Sequence, residues 1–336
     1  MRRIEVALGE RRYLVGIGEG LLERAGEWFA PFRRGRVVTV SDENVWAAQG
    51  RRLEASGLDV EKVLVPPGEQ SKSWRQLEAL CERLLELGVE RGDTILAFGG
   101  GMVGDLAGFA AAILKRGCGY VQLPTTLLAQ VDSSVGGKTA INAAAGKNLV
   151  GAFHQPAAVF IDPTTLDTLP DRELRAGYAE VVKYGLIGDP AFFDWCESNA
   201  GALLAGERGA RLHAIETCVR AKAAIVADDE RETSGRRGLL NFGHTLGHAI
   251  EAETGILHGE AVAIGMAAAF RLSVERGLCP AEEAERAIAH LESVGLPTRT
   301  DVDPERLAAR MRHDKKGGVR VLTRGIGKAF LGRVGE

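Results

Sequence analysis

The stretch TILAFGGGMVGDLAGF, residues 94–109, decides the fold class of this 336-residue chain. Its first five residues are apolar or β-branched, which predicts a buried strand over residues 94–98. Gly99, Gly101 and Gly104 then satisfy G-x-G-x-x-G and lead into an apolar helix. A strand, a glycine turn and a helix in this order predict a parallel α/β sheet, with a turn whose backbone N–H groups could approach a pyrophosphate.

The glycine turn also has an interpretation without a ligand, because such turns occur in proteins that bind nothing there. No acidic residue follows at the usual spacing of about 20 residues, where the ribose hydroxyls of a dinucleotide would be bound. A carboxylate from elsewhere would have to replace it. Asp42 and Asn44 follow a strand predicted over residues 36–40, and Glu69 and Lys72 lie in the turn PPGEQSK. Asp42 is equally well placed to cap the helix that begins beside it.

The sequence pattern of the chain changes over residues 162–170, where two prolines bracket a Thr-rich connection. Before this point, predicted strands alternate with helices such as residues 73–87, and a further strand is predicted over residues 119–123. After it, the Ala-, Leu- and Glu-rich stretches predict helices packed together. These stretches are residues 176–187, 202–227, 239–253, 259–275 and 281–294.

The predicted architecture is therefore a Rossmann-like parallel α/β domain over residues 1–168, followed by a helical domain over residues 169–336. Residues 319–334 regain some β character, which predicts a small strand pair within the helical domain.

Composition excludes several classes of protein. The 42 Lys and Arg against 45 Asp and Glu give a formal charge of -3, so no overall basic field attracts nucleic acid. The five cysteines are scattered and never form C-x-x-C, which argues against a disulfide framework and favours a reducing cytoplasm. We expect neither an export signal nor a membrane span, since no apolar segment is long enough.

A second polar stretch, LPTTLLAQVDSSVGGKTAINAAAGKN, follows the strand predicted over residues 119–123. Its GGKT resembles the end of a P-loop, but Asp132 stands where the first glycine of G-x-x-x-x-G-K-[ST] is needed, which excludes an NTPase. Lys138 and Lys147 lie among Gly, Ser and Thr residues, so anion binding is favoured over the usual solvated lysine. Thr125 and Thr126 add hydroxyl groups.

Three of the seven histidines fall within fifteen residues. In NFGHTLGHAIE, His244 and His248 lie four apart on one helix face, and His258 follows in LHGEAV. The H-E-x-x-H motif of metalloproteases is absent. Metal ligation and a buried, hydrogen-bonded histidine cluster both remain open. A catalytic zinc site with an open position would need a carboxylate, for which Glu180 is the best candidate. Glu180 could equally form only an ion pair with Lys183, three residues on.

Polar residues also precede the histidines. Arg237 and Asn241 lie four apart and would face the same cleft if the helix over residues 239–253 begins a turn early. They could then hold an acidic substrate, whereas much of the charged segment before them, which includes Glu232, is expected to be a solvated connection.

In their order and spacing, these motifs resemble the 3-dehydroquinate synthase family of sugar phosphate cyclases, from about Asp42 to Lys316. The resemblance implies an NAD-binding α/β domain, a helical domain and an active site in the cleft between them. It implies that zinc, or cobalt in its place, is bound by Glu180, His244 and His258. It leaves His248 for proton transfer and substrate contact.

The resemblance also assigns the remaining candidates. NAD would be bound by Asp42, Asn44, Glu69, Lys72, Gly100, Gly101, Asp105, Thr125, Thr126, Thr165 and Thr168, with Lys138 and Lys147 near both cofactor and substrate. The substrate would be held by Lys183, Lys222, Arg237 and Asn241. Arg116 resembles an arginine that reaches the phosphate in a neighbouring subunit, which implies a homodimer. Glu232 matches an acid–base position, and Lys315 or Lys316 a substrate lysine.

The reaction implied converts 3-deoxy-D-arabino-heptulosonate 7-phosphate into 3-dehydroquinate and phosphate, a step of the shikimate pathway to aromatic amino acids. It combines transient oxidation by NAD, phosphate elimination, re-reduction and an intramolecular aldol closure. Three alternatives remain open: a sibling cyclase such as 2-deoxy-scyllo-inosose or valiolone synthase, a metal-dependent alcohol or glycerol dehydrogenase, and a non-enzymatic metal-binding scaffold.

Overall fold

The glycine turn follows an interior strand of a mainly parallel sheet, as the sequence predicts. The structure, a computed structural model, describes residues 1–32, 35–144, 146–232, 235–313 and 319–333. The chain divides into two units, each described by itself: unit 1 is Met1–Leu169 with Ile215–Ala227, and unit 2 is Pro170–Ala214 with Asp228–Glu336. The domain division at 168/169 stays a prediction, and the units differ from it because Ile215–Ala227 belongs to unit 1.

Unit 1 contains a seven-stranded sheet in the order β1-β2-β9-β6-β5-β3-β4, in which β1 alone pairs antiparallel. A separate antiparallel hairpin, β7–β8, contacts α4. The strands are β1 (Arg2–Val6), β2 (Tyr13–Ile17), β3 (Val37–Asp42), β4 (Glu61–Val65), β5 (Thr94–Gly99), β6 (Gly119–Pro124), β7 (Lys138–Ala143), β8 (Gly146–Phe153) and β9 (Ala158–Ile161).

Alternate residues of the inner strands enter two different apolar clusters, so both faces of the sheet are buried. Ile95 and Tyr120 pack with residues of α3 and α4, whereas Leu96 and Phe98 pack with residues of α1 and α2. Such double burial explains why the strands appear as nearly continuous apolar runs. The unit 1 helices are α1 (Ala25–Phe29), α2 (Glu43–Glu54), α3 (Trp74–Glu86) and α4 (Gly101–Ile113).

Unit 2 is helical with one strand pair, which confirms the predicted fold class. The helix α7 runs through both units, because residues 215–227 belong to unit 1. No helix in the described ranges has the length and apolarity that a membrane crossing requires. The elements are α5 (Asp171–Gly188), α6 (Pro190–Leu204), α7 (Arg208–Asp228), α8 (His244–Thr254), α9 (His258–Glu275), α10 (Ala281–Ser293), α11 (Pro304–His313) and the antiparallel β10 (Val319–Thr323) and β11 (Ala329–Arg333).

Two helix predictions are wrong in their bounds. Residues 202–227 are not one helix, because Gly206 adopts a φ of +93° between α6 and α7. Residues 239–253 are also interrupted: Arg236–Asn241 is a 3-10 turn and Gly243, at φ +80°, precedes α8. Positive φ is accessible to glycine at little cost and ends the regular helix there. Arg237 and Asn241 therefore do not continue the helix face of His244, so the early helix start on which their predicted shared face depended is not observed.

Candidate functional site

Three helices of unit 2 bring one carboxylate and two imidazoles to a common point. Glu180 lies on α5, His244 begins α8 and His258 begins α9. Their ligand atoms lie within 4.8 Å of one another, and Oε1 of Glu180 is 3.5 Å from Nε2 of each histidine. Ligands at about 2.1 Å from a tetrahedral zinc stand roughly 3.4 Å apart, so this spacing fits a metal ion. The His244–His258 pair with Glu180 is thus the candidate ligand set.

Each of the two histidines uses its other ring nitrogen for a hydrogen bond. Nδ1–H of His244 donates to the carbonyl oxygen of Phe242 at 3.1 Å, and Nδ1–H of His258 donates to a carboxylate oxygen of Glu251, also at 3.1 Å. Since both acceptors can only accept, they fix the tautomer that leaves Nε2 facing Glu180. This is the usual arrangement around metal-binding histidines.

The predicted ion pair between Glu180 and Lys183 is also present, and it does not exclude the metal interpretation. Both side chains are 1% exposed, and the ammonium of Lys183 pairs with Oε2 of Glu180. Oε1 is the oxygen that faces the histidines. One carboxylate therefore serves both contacts, one through each oxygen.

The electrostatic surroundings of the two candidate ligands differ. Burial, together with the positive charge of Lys183, holds the pKa of His244 well below its usual range, so this imidazole is neutral. Burial also lowers the pKa of His258, but its hydrogen bonds to Glu180 and Glu251 outweigh that and raise the pKa to about 9. The point between His258 and Glu180 thus attracts a positive charge, which a proton or a metal ion can supply.

His248 lies beside the cluster without joining it. Its ring centroid is 5.4 Å from that of His244 and 5.8 Å from that of His258. Among the described residues, the group with metal-ligand spacing contains Glu180, His244 and His258 but not His248. This ligand set is the one that the family resemblance implies, and the proton-transfer role of His248 stays a prediction.

Close backbone contacts hold the three helices in this arrangement. A Cβ on Gly259 would lie 1.8 Å from the carbonyl oxygen of Ala176 on α5, and one on Gly265 would lie 1.9 Å from that of Gly243. Backbone atoms cannot move aside cheaply, so these positions accept no side chain. The glycines let α9 approach α5 and the start of α8 closely enough for the ligands to meet.

The predicted substrate residues of unit 2 differ in exposure. Arg237 is 1% exposed, and its guanidinium donates to the carbonyl oxygen of Glu230 while its backbone N–H donates to the carboxylate of Asp229 at 3.2 Å. Asn241 is exposed. Glu232 is exposed too and adopts a left-handed φ of +55°, which is uncommon for a residue with a side chain. Lys315 and Lys316 lie outside the described residues.

In unit 1 the glycine turn has the tight geometry that its sequence predicts. Gly99 ends β5, and Gly100 caps α4, which begins at Gly101. A Cβ would lie 3.0 Å from Thr126 if placed on Gly100, and 3.0 Å from Ser133 if placed on Gly101. The missing side chains of Gly100 and Gly101 therefore let Thr126 and Ser133 lie close to the N-terminus of α4, at the carboxyl edge of the sheet. Such an edge is where open α/β sheets bind ligands.

Polar side chains gather at that edge. Thr125 is buried, and its hydroxyl oxygen has no hydrogen-bond partner among the residues that the structure describes. The hydroxyl of Thr126 accepts from the N–H of Ala129 at 3.2 Å. Thr165 is buried as well, but its hydroxyl donates to the carbonyl oxygen of Asp162 and accepts from Gln130.

Among the residues predicted to bind NAD, Thr168 and Asn44 are exposed. The hydroxyl of Thr168 accepts a hydrogen bond of 2.5 Å from Gln49. Like Thr165, it is thus already used by the fold, and a cofactor contact there would have to share the hydroxyl.

Asp42 caps α2, as the simpler of its two interpretations predicts. One oxygen of its carboxylate accepts from the N–H of Val45 at 2.9 Å. Burial raises the pKa of Asp42, although the N–H groups of Val45 and Asn44 oppose that shift. The cap uses one carboxylate oxygen and does not exclude a second contact. Binding of the ribose hydroxyls of NAD by Asp42 stays a prediction.

Lys72 is the buried centre of an ionic network. Its ammonium, in a side chain 4% exposed, lies 2.6 Å from Asp105 and 3.5 Å from Glu69, and also donates to Asn148. Burial lowers the pKa of Lys72, but the two carboxylates outweigh that and raise it, so the lysine stays charged. Asn142 joins the network by donating to Glu69 at 2.9 Å.

The other predicted cations of unit 1 occupy different settings. Lys222 on α7 is buried and pairs with the carboxylate of Asp132. Lys138 is exposed, and Lys147 lies 3.9 Å from Glu69. Arg116 is exposed at a φ of +68°.

Sequence reasoning missed several supporting residues, notably Glu251, Asn142 and Asn148. Glu251 carried a signal, since it follows His248 by three residues on the same helix and so shares its face. The two asparagines gave none, because their contacts depend on how the β7–β8 hairpin lies against Lys72.

Comparison with known proteins identifies the family. The family model described as 3-dehydroquinate synthase N-terminal matches residues 62–176, and the one described as 3-dehydroquinate synthase C-terminal matches residues 177–317. The chain belongs to the 3-dehydroquinate synthase family. It is 58% identical to the 3-dehydroquinate synthase of Rhodospirillum rubrum over 98% of this chain and 91% of that protein. The resemblance inferred from the motifs is thereby confirmed.

Solved structures of related cyclases share the fold. The 2-epi-5-epi-valiolone synthase of Streptomyces hygroscopicus subsp. jinggangensis, with NAD+ and Zn2+ bound, has a TM-score of 0.89 at 32% identity and covers 96% of this chain and 92% of its own. A 2-deoxy-scyllo-inosose synthase complexed with carbaglucose-6-phosphate, NAD+ and Co2+ has a TM-score of 0.85 at 29% identity, covering 98% and 94%. These likenesses confirm the predicted fold class.

Proposed function

We propose that this chain catalyses the 3-dehydroquinate synthase reaction, which forms 3-dehydroquinate and phosphate from 3-deoxy-D-arabino-heptulosonate 7-phosphate. The observation that carries the proposal is the 58% identity over 98% of the chain to a protein of that name. Two sibling cyclases of known structure share 32% and 29% identity with this chain.

The residues of unit 2 fit a metal cofactor. One carboxylate and two imidazoles, from Glu180, His244 and His258, form a donor set suited to zinc or cobalt. When bound, the metal supplies a Lewis acid that lowers the pKa of a substrate hydroxyl and polarises a carbonyl.

The residues of unit 1 fit NAD. Gly100 and Gly101 carry no side chain at the N-terminus of α4, where backbone N–H groups can bind a pyrophosphate, and the hydroxyl of Thr125 is available as a donor. The proposal assigns the remaining contacts with NAD to Asp42, Asn44, Glu69, Lys72, Asp105, Thr126, Lys138, Lys147, Thr165 and Thr168. When bound, NAD accepts a hydride and returns it, so the reaction has no net change in redox state.

Cationic side chains bind and orient the substrate in this proposal. The charge of the departing phosphate is stabilised by Lys138, Lys147, Lys183, Lys222, Arg116 and Arg237. The carboxylate, hydroxyls and phosphate of the substrate are bound by Lys183, Lys222, Arg237 and Asn241, with Lys316 or Lys315. Because these charges are local, the chain needs no overall basic character, in keeping with its formal charge of -3. Glu232 is proposed as a further acid–base group.

His248 moves the protons. It lies beside the candidate ligands without being one, at a ring distance of 5.4 Å from His244. An imidazole at that position can take a proton from a substrate oxygen and return it to another, or orient the departing phosphate. This role needs a ring that is not committed to the metal.

The test is phosphate release from 3-deoxy-D-arabino-heptulosonate 7-phosphate by the purified protein supplied with NAD and zinc. We expect release that a chelator abolishes, formation of 3-dehydroquinate and no net NADH. Glucose 6-phosphate, whose carba-analogue occupies the related 2-deoxy-scyllo-inosose synthase, serves as the control substrate. Turnover of that control alone would favour the sibling reaction, and net NADH with a simple alcohol would favour a dehydrogenase.

The proposal includes a homodimer in which Arg116 acts on the partner's substrate phosphate. Arg116 is exposed, and it stands in a run of three positive φ values, +50° at Lys115, +68° at Arg116 and +123° at Gly117. Left-handed residues with side chains are costly and concentrate at functional sites. This strain supports a role for the segment beyond connecting α4 to β6.

Mixing two inactive variants tests the dimer. A heterodimer of Arg116→Ala and His248→Ala chains would contain one complete active site, so random mixing should restore about a quarter of normal activity. Failure to restore activity in a mixture shown to exchange subunits would overturn the shared site. A cytoplasmic location is part of the same proposal, supported by five cysteines of which none forms a disulfide.

A further inference from the structure

We propose that Glu251 is a positioning residue for the metal centre, which holds the ring of His258 so that Nε2 faces Glu180. The inference rests on the proposed function, because it concerns the metal that the proposed reaction requires. It assigns a role to a carboxylate that would not itself touch the metal or the substrate.

The hydrogen bond between the two side chains is the first observation. Nδ1 of His258 lies 3.1 Å from Oε2 of Glu251, and an ionised carboxylate can only accept, so Nδ1 carries the hydrogen. The ring is then oriented with Nε2 3.5 Å from Oε1 of Glu180. Glu251 thereby sets both the tautomer and the direction of the ligand atom.

The two candidate histidine ligands are held in different ways. His244 bonds to the carbonyl oxygen of Phe242 in its own segment, where Gly243 at φ +80° turns the chain. His258 is the first residue of α9, and its Nδ1 bonds to a residue of another helix, α8. The tie between Glu251 and His258 therefore links the helix that carries His244 to the helix that carries His258.

The burial of Glu251 is the second observation. The residue is 8% exposed and follows Ala249 and Ile250, which both belong to an apolar cluster. A carboxylate in such surroundings is costly unless it is hydrogen-bonded. Its bond to His258 offsets that cost and also makes the imidazole a stronger electron donor. A carboxylate that served only as a surface charge would be neither buried among apolar residues nor bonded to the histidine.

The experiment measures zinc dissociation constants of the full-length, metal-stripped protein by competition with a chromogenic chelator. We expect Glu251→Ala to weaken zinc binding by about 10- to 100-fold, the range found when outer partners of ligating histidines are removed. Glu251→Gln should weaken it less, because the amide oxygen still accepts from Nδ1–H. Cobalt in place of zinc adds a spectroscopic readout, since a reoriented imidazole alters the visible absorption of the ion.

Glu253→Gln is the matched control. Glu253 lies two residues further along α8, is 7% exposed in its side chain, and pairs with Arg306 and Arg310 of α11. Its substitution removes a nearby buried carboxylate from the same helix but not the bond to His258, so zinc affinity and the cobalt spectrum should stay unchanged. Thermal unfolding of each metal-stripped variant reports any purely structural loss.

Each outcome bears on the inference separately from the proposed function. Equal zinc affinity in the unsubstituted protein and Glu251→Ala would overturn it while leaving the metal site in place. The inference would also be overturned if Glu251→Ala and Glu253→Gln lost zinc affinity equally and in proportion to their loss of stability. If the unsubstituted protein binds no zinc or cobalt, both this inference and the metal site of the proposed function fail.

Discussion

The two units hold their candidate functional groups in different ways. In unit 2, the ligand atoms of Glu180, His244 and His258 point to one place, while other groups of the protein fix the histidine rings from behind. In unit 1, the charged groups at the sheet edge bond to one another, as Lys72 does with Asp105.

In unit 2, ligand binding and folding stability therefore depend on different contacts. In unit 1 they depend on the same contacts. The unit 2 cluster has an arrangement that a metal can enter without breaking the bonds that orient its ligands. A ligand of unit 1 must instead share or replace contacts that the fold uses. We therefore expect substitutions of the metal ligands to affect mainly binding, and substitutions in the Lys72 network to affect folding as well.

The largest effect is expected from His244→Ala compared with His248→Ala. Removing the ligand should abolish zinc retention and lower turnover by about 10³-fold, because several kcal/mol of charge stabilisation is lost. His248→Ala should retain zinc and lower turnover by about 10²-fold through the lost proton transfer. Zinc content after dialysis and phosphate release measure the two effects.

The outcome that contradicts this division of roles is loss of zinc in both variants, which would make His248 a ligand. The unfolding free energy of the metal-stripped His244→Ala variant provides the control. It should be close to that of the unsubstituted protein, as expected if the cluster is built for binding.

The next effect concerns stability in unit 1. Asp105→Asn leaves the buried ammonium of Lys72 without its nearest carboxylate, 2.6 Å away, and should lower the free energy of unfolding by about 3 kcal/mol. Urea unfolding measures it. Glu86→Gln, which removes the partner of Arg83 in an exposed pair, is the control and should change little. Equal effects of the two substitutions would show that burial of the network does not matter.

A smaller contrast in stability is expected between two glycine substitutions. Gly265→Ala would place a Cβ 1.9 Å from the backbone oxygen of Gly243, whereas Gly104→Ala would place one 2.7 Å from the side-chain oxygen of Gln122. A side chain can move aside more cheaply than backbone, so we expect losses of about 3 and 1 kcal/mol, respectively. Gly265→Ala should also weaken zinc binding, because it separates α9 from the start of α8. The reverse order in urea unfolding would contradict this account.

The sequence predicted the elements that local patterns determine. Continuous apolar or β-branched runs identified β5 and β6. The helix predicted over residues 73–87 corresponds to α3, where Ser73 caps the first turn by accepting from the N–H of Gln76. The breaks at Gly206 and Gly243 were missed, because glycine is tolerated inside a helical pattern and only the packing around it decides its φ.

The candidate metal cluster followed from residue types and the family resemblance, whereas its supporting contacts did not. The spacing of His244 and His248 favours those two as ligands, yet His258, on another helix, is the residue that joins His244 beside Glu180. Which histidines converge depends on how α8 and α9 pack, and that is a property of the folded chain. The bond from His258 to Glu251 is hidden from sequence for the same reason.

The smallest effect on stability is expected at Asp42, where the two interpretations of the residue can be separated. Asparagine caps helices about as well as aspartate, so Asp42→Asn should leave the unfolding free energy nearly unchanged, whereas Asp42→Ala should lower it by about 1 kcal/mol. If the carboxylate also binds the ribose of NAD, both variants should bind NAD more weakly, as measured by calorimetry. Unchanged NAD affinity in Asp42→Asn would reduce Asp42 to a helix cap. Because its pKa is raised by burial, the ionised form gains from a further hydrogen-bond donor, and a ribose hydroxyl can supply one.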